Sequence, residues 1–194
     1  MQIKAQGLLH AAKYIEERFG RDNLGLVVRA CSQGVGDSFV ASNAILWHPA
    51  MELVEFVETA DRMLSDGTGR IAQDVGVAGA RANTGRSLQR AALLWTKTDF
   101  IMPRVASMWK QFNDEGAMLF NGVVDRSLQI EVTGVSRPHA TLCRILTGWC
   151  SEIGEAVTAA HVAVEHTSCR AKGDRRCLWM IRTPAVSKLV PSSA

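Results

Sequence analysis

The sequence predicts an α+β fold, in which an N-terminal helical lobe is followed by a β-β-α-β-β lobe with an antiparallel sheet. Apolar residues recur every three to four positions through residues 1–115, which is typical of amphipathic helices. After Gly116 the pattern changes to short alternating runs, and four of the five cysteines fall in the last third of the chain. We expect one integrated domain with a helical lobe over 1–115, an α+β lobe over 116–184 and a polar tail over 185–194.

The amino-acid composition limits the classes of protein to which this chain can belong. The chain has 194 residues, of which 47% are apolar and 21% charged, with a net charge of +3, as in an ordinary globular protein. The charge is too small and too scattered to predict a nucleic-acid surface, and no window approaches the roughly 20 apolar residues of a membrane span. The first residues form a charged amphipathic pattern and not a signal peptide. We expect a cytoplasmic protein that binds neither nucleic acid nor membrane.

The helical lobe is predicted from periodic apolar faces that end at glycines, as at Gly20 and Gly67. A helix-start signal supports the last helix, where Asp99 is a candidate N-cap. The stretch "SQGVGDSF" matches no phosphate-binding loop and is interpreted as a turn between helices. The predicted helices are 7–20, 21–31, 50–67, 69–83 and 99–116.

The α+β lobe is predicted from turn residues between short apolar runs. Asn121-Gly122 and Asp125-Arg126 separate runs with the spacing of strands. Helical spacing returns in "RPHATLCRILTGWCSEIGEAVTA". The runs "HVAVEHTSC" and "RRCLWMIRT" then predict a hairpin centred on Gly173.

This hairpin brings two cysteines together. If the chain turns at Gly173, Cys169 and Cys177 face each other across the two strands. The two sulfurs are then within reach of one tetrahedral zinc ion, whose thiolate ligands lie a little under ~4 Å apart. His166 lies three residues before Cys169, so it joins them only if the strand bends or ends at Thr167-Ser168.

A fourth ligand has to come from elsewhere, and the preceding helix offers Cys143 and Cys150, which are two turns apart on one face. The odd number of cysteines, without a secretion signal, argues against a disulfide framework. A Cys169–Cys177 disulfide and buried free thiols remain open alternatives. We interpret Cys150 as a buried thiol of the core.

The quoted motifs also resemble a known family. "CRILTGWCSEIG" followed by "HTSCRAKGDRRC" is similar to the 4-vinyl-reductase-like domain, a small-molecule-binding fold related to heme–nitric-oxide sensors and to vesicle-tethering subunits. The similarity covers about residues 138–183. It implies a structural zinc site, one ion per chain, formed by Cys143, His166, Cys169 and Cys177, with His166 where phenol-responsive sensors of this type tend to carry Glu.

The resemblance also implies an apolar pocket beside the zinc-bearing hairpin. The heme–nitric-oxide sensors hold the heme propionates with a tyrosine-serine-arginine motif, which does not follow Tyr14, the single tyrosine of this chain. We therefore expect that the chain binds no heme. The candidate pocket residues are large and apolar, and they are Trp95, Met108, Trp109, Phe112, Met118, Phe120 and Trp149.

These features together predict a ligand-sensing, regulatory module of the 4-vinyl-reductase-like type. It would bind a small hydrophobic or aromatic molecule, form a homodimer through its N-terminal helices and signal to an unidentified downstream protein. No arrangement of nucleophile and base can be assigned, which favours a sensor over an enzyme. Two alternatives are an accessory protein or reductase in tetrapyrrole metabolism, and a protein–protein adaptor of the tethering-subunit type.

Overall fold

Helices dominate the first half of the chain and a four-stranded antiparallel sheet dominates the second. The computed structural model describes residues 1–40, 43–94, 107–124, 127–158 and 160–182. Its helices are α1 (Ala5–Phe19), α2 (Arg21–Ala30), α3 (Gln33–Val40), α4 (Ala50–Leu64), α5 (Arg70–Leu94), α6 (Trp109–Phe112) and α7 (Ala140–Thr158). Its strands are β1 (Gln2–Lys4), β2 (Trp47–Pro49), β3 (Ala117–Val124), β4 (Ser127–Thr133), β5 (Ala163–Ser168) and β6 (Cys177–Arg182).

The larger sheet has the strand order β3-β4-β6-β5, and each neighbouring pair is antiparallel. Burial alternates along the central strands, with Leu128, Ile130 and Val132 of β4 all buried. This period of two places one face of the sheet against the core. Helix α7 lies between β4 and β5 in the chain and contacts β5 and β6. The predicted α+β class with an antiparallel sheet is confirmed.

The helical part has its own apolar core, in which Leu8, Ile15 and Phe56 are almost fully buried. A buried carboxylate organises the start of α5. Asp61 accepts backbone hydrogen bonds from Gly69 at 2.7 Å and from Ile71 at 3.0 Å, which satisfies donors that a helix start leaves without partners. None of the helices within the described ranges has both the length and the apolar content to cross a membrane.

Two glycines let α5 and α7 pack with their backbones in contact. A Cβ atom at Gly76 would lie 1.9 Å from the carbonyl oxygen of Ile145, and one at Gly148 would lie 1.9 Å from that of Gln73. Only a residue without a side chain fits at either position. The helical part is therefore joined to the sheet-bearing part through this helix pair.

The structure differs from the sequence prediction in the helical region. Residues 2–4 form β1, which pairs with β2. The stretch interpreted as a turn forms α3, because Val35 is fully buried and the Ser38 hydroxyl donates to Glu52 at 2.6 Å, so packing overrides the glycines. Helix α5 extends to Leu94, beyond the predicted end at 83. Within the predicted helix 99–116 the structure contains only the short helix α6 among the described residues. Residues 95–106, which include Asp99, and the predicted tail lie outside the described residues.

Candidate functional site

Four side chains of the second half converge at one point. Cys143, His166, Cys169 and Cys177 each offer a ligand atom, and these atoms all lie within 4.8 Å of one another. The Sγ atom of Cys143 is 3.8 Å from that of Cys177 and 3.8 Å from that of Cys169. Two sulfurs bound at ~2.3 Å to one tetrahedral zinc ion lie about 3.8 Å apart. The structure thus brings together all four residues of the predicted metal site.

Three elements position this Cys/His cluster. Cys143 lies in the first turn of α7, His166 in β5 and Cys177 at the start of β6, while Cys169 directly follows β5. The pairing of β5 with β6 shifts register between His166 and Ser168. This irregularity is the bend that the sequence required for His166 to point to the same side as Cys169.

The turn between β5 and β6 is held by contacts that the sequence analysis missed. The Asp174 carboxylate accepts the backbone N–H of Cys169 at 2.6 Å, and the backbone N–H of Arg170 donates to the Cys177 sulfur at 3.4 Å. Gly173 has φ +97°, a left-handed conformation that favours glycine. The Gly-Asp pair at the centre of the hairpin was the available signal, because these residues are typical of turns.

The Cys/His cluster contains three buried thiols and a buried ring nitrogen that lacks a hydrogen-bond partner. All three thiols are free and buried, so the disulfide alternative does not hold in this structure. The hydrogen bond between Cys143 and Cys177 lowers the pKa of Cys177, and the same bond, followed by burial, raises that of Cys143. The Nε2 atom of His166 is buried without a hydrogen-bond partner. Soft donors and an orphaned ring nitrogen fit a bound metal cation.

The two other cysteines lie apart from the cluster. Cys150 is completely buried, and this burial raises its pKa to about 12. It belongs to the apolar core around the sheet and not to the group of possible metal ligands. Cys31 is half-buried in the helical part, and burial raises its pKa as well.

An apolar cavity of about 160 Å³ lies among α1, α5, α6 and α7. Five of the seven candidate pocket residues line it, namely Met108, Trp109, Phe112, Met118 and Trp149. Phe120 is not among its lining residues and packs instead against the core around the sheet. Trp95 lies outside the described residues.

The cavity and the Cys/His cluster share helix α7. Leu142, Leu146 and Trp109 line the cavity and also a crevice of about 30 Å³, whose other wall includes Cys143 and Cys177. One layer of side chains therefore separates the two sites. Sequence reasoning also missed His10 of α1, which is a polar residue on the cavity wall.

No protein-family model matches the chain, and no curated protein is similar to it. Solved structures with a similar fold include H-NOX proteins. The one from S. oneidensis in the Fe(II)NO ligation state has a TM-score of 0.67 at 9% identity, covering 92% of this chain and 98% of that one. The unliganded Fe(II) protein from K. algicida has a TM-score of 0.62 at 10% identity, covering 92% and 95%. The protein from Shewanella woodyi in the Fe(II)CO state has a TM-score of 0.65 at 12% identity, covering 93% and 95%.

These neighbours contradict the expectation that the chain binds no heme. A further H-NOX structure of the same fold, with a TM-score of 0.61, is concerned with heme distortion in that family, so heme is the cofactor that the fold implies. The expectation was wrong because a missing tyrosine-serine-arginine motif removes one way of holding the propionates, whereas the fold itself is that of heme proteins.

The cavity fits heme in part. His10, Met108 and Met118 line it and are residues of the kinds that ligate heme iron. The 160 Å³ that the described walls enclose is less than the roughly 300–1,000 Å³ of pockets for drug-sized ligands. The described residues thus supply donors for the iron but not the space for a tetrapyrrole.

Proposed function

We propose that this chain is a ligand-sensing module that binds a small apolar molecule in the cavity and a structural zinc ion at the Cys/His cluster. The observation that carries the proposal is the position of α7, which supplies cavity wall through Leu142, Leu146 and Trp149 and a cluster ligand through Cys143. A ligand in the cavity therefore lies against the helix that the metal would hold in place.

The chemistry of the cluster supports zinc. Three thiols and one imidazole form a complete tetrahedral set, which is typical of structural zinc sites and leaves no open position for an activated water. The proposed zinc site thus contributes stability and geometry and does not act as a catalyst. A closed metal shell agrees with the prediction from the sequence that the chain is a sensor rather than an enzyme.

The size and lining of the cavity support a small apolar ligand. An apolar cavity of about 150 Å³ in another protein stays dry and binds benzene or xenon. The cavity here has a similar volume, and Trp109, Phe112 and Trp149 provide aromatic walls. The proposed ligand is therefore an apolar molecule of about the size of a benzene ring.

Sensing of a gas through heme is a second candidate, favoured by the H-NOX neighbours, which match more than nine-tenths of the chain. In that case heme would supply the iron to which the gas binds. Homodimer formation, the cytoplasmic location and the downstream protein stay predictions.

Purified protein tests the proposal directly. We expect one zinc per chain by elemental analysis, and a rise in melting temperature with benzene, because a ligand that binds only the folded state stabilises it. A Gly7→Leu variant is the control: Gly7 lines the cavity and a Cβ there makes only ordinary contacts, so the larger side chain fills the cavity and abolishes the benzene effect.

Two results would decide against parts of the proposal. A one-to-one complex with added hemin and its intense visible absorption, without any effect of benzene, would replace the apolar ligand by heme-dependent sensing. Folded protein without metal, with Cys143, Cys169 and Cys177 all titrating freely, would remove the zinc site.

A further inference from the structure

Trp179 of β6 is the largest fully buried side chain of the described residues and lies directly against the Cys/His cluster. It pairs with His166 across β5 and β6. The two rings are stacked, with centroids 4.3 Å apart and planes inclined by 6°. The indole thus covers one face of the imidazole and limits the tilt of that ring.

The indole is also tied to the helix that carries Cys143. Its Nε1–H donates to the Thr147 hydroxyl at 2.9 Å, and that hydroxyl donates to the backbone carbonyl of Cys143 at 2.9 Å. Thr147 is one turn after Cys143, so the hydroxyl faces the same side of α7. A chain of two hydrogen bonds therefore connects the stacked indole to the backbone of a proposed ligand.

These contacts add to the usual support of a metal-bound histidine. Such a histidine almost always donates its second ring N–H to a carboxylate, carbonyl or water, which fixes the orientation of the ring. The stack with Trp179 restrains the His166 ring through its face, which a hydrogen bond at the edge of the ring does not do.

We infer that Trp179 and Thr147 are positioning residues of the metal centre: the indole fixes the imidazole of His166 by stacking and locks β6 to α7 through the Thr147 hydroxyl. This inference rests on the proposed zinc site. The indole contacts His166 on β5, belongs to β6 two residues after Cys177, and reaches α7 beside Cys143. It joins all three elements that bring ligands to the cluster.

Four variants of the full chain test the inference. Trp179→Phe removes the N–H, and Thr147→Val removes the hydroxyl at nearly constant shape. Each should weaken Co(II) and zinc binding by roughly 10–100-fold, the range for residues that support metal ligands. The double variant should lose less affinity than the product of the two single losses, because both changes break the shared hydrogen bond between the indole and the Thr147 hydroxyl. Thr147→Ser keeps the hydroxyl and should restore binding.

A matched control separates positioning from general packing. Thr141→Val removes another hydroxyl of α7, one that donates to Glu58 at 2.6 Å. It should not change metal affinity. The visible ligand-field bands of bound Co(II) should shift in Trp179→Phe and Thr147→Val and stay unchanged in this control.

The outcomes distinguish this inference from the proposed zinc site. If the wild-type chain binds neither Co(II) nor zinc, the proposed site itself is wrong. If the wild type binds, and folded Thr147→Val and Trp179→Phe retain its affinity and its Co(II) spectrum, the positioning role is overturned. Equal losses in Thr147→Val and Thr141→Val would likewise overturn it.

Discussion

His166 lies in β5 and His161 lies two residues before this strand, and the surroundings of the two histidines are opposite. The His161 side chain is 91% exposed and bonds Glu155 at 2.7 Å, whereas the buried Nε2 of His166 has no partner. We expect His166→Ala to weaken zinc binding by more than the roughly 100-fold upper value for supporting residues, and His161→Ala to leave it unchanged. Competition with a chromogenic chelator measures both. Equal effects of the two substitutions would show that the ligand assignment is wrong.

The pair Cys169 and Cys177 could be predicted from the sequence because its spacing has a geometric meaning, whereas Cys143 and His166 came from the resemblance to a known family. Cys169 and Cys177 are symmetric about Gly173, and a hairpin brings symmetric positions together. The supporting residues could not be predicted in this way. The stack of Trp179 on His166 depends on the register of β5 with β6, and the bond to Thr147 depends on how α7 crosses the sheet; neither distance is encoded in residue spacing.

At the scale of elements, the contact between α5 and α7 makes its own prediction. Gly148→Ala should destabilise the chain, because the new methyl group would meet the Gln73 carbonyl and force the helices apart, at a cost of about 1–3 kcal/mol. Gly79→Ala on α5 should be neutral or stabilise by up to about 1 kcal/mol, since the nearest atom to its Cβ is 3.8 Å away and alanine favours helix. Urea unfolding measures both free energies; similar values would contradict the close contact.

The elements themselves were predictable to different degrees. Helices α1, α2 and α4 follow from apolar periodicity, and the hairpin of β5 and β6 follows from the turn at Gly173. The predicted turn at Asn121-Gly122 is wrong, because these residues lie inside β3, where the pairing with β4 only shifts register. Helix α3 and the pairing of β1 with β2 could not be predicted from local patterns, because both are stabilised by neighbouring elements. Helix α3 is held by the burial of Val35 and by the hydrogen bond from Ser38 to Glu52. Strand β1 pairs with a strand more than forty residues away. Packing of this kind leaves no recognisable pattern in the local sequence.

For the molecule as a whole, the metal is expected to be a large part of the stability. The Cys/His cluster joins α7 to both strands of the hairpin, and ligands that bind only the folded state raise the free energy of unfolding. Zinc at 1,000 times its Kd adds about 4 kcal/mol, which corresponds to roughly 8–16 °C in the melting temperature for a chain of this size. A chelator should produce this fall in the wild type.

A Cys143→Ala variant is the control for that measurement. Before any chelator is added, this variant should already melt at the temperature of the metal-free wild type, and chelator should not lower its melting temperature further. A wild-type protein that loses its metal to the chelator and melts as before would contradict the structural role of the ion.

Helix α7 is held at two points, by Cys143 in the cluster and by Gly148 against α5. The opposite wall of the cavity is part of α1, whose Leu8 and Ile15 are almost fully buried in the core of the helical part. The Tyr14 hydroxyl of α1 also donates to the Asp74 carboxylate of α5 at 2.8 Å. Both walls are therefore anchored, and we expect an occupant to stiffen walls that are already in place rather than to push them apart.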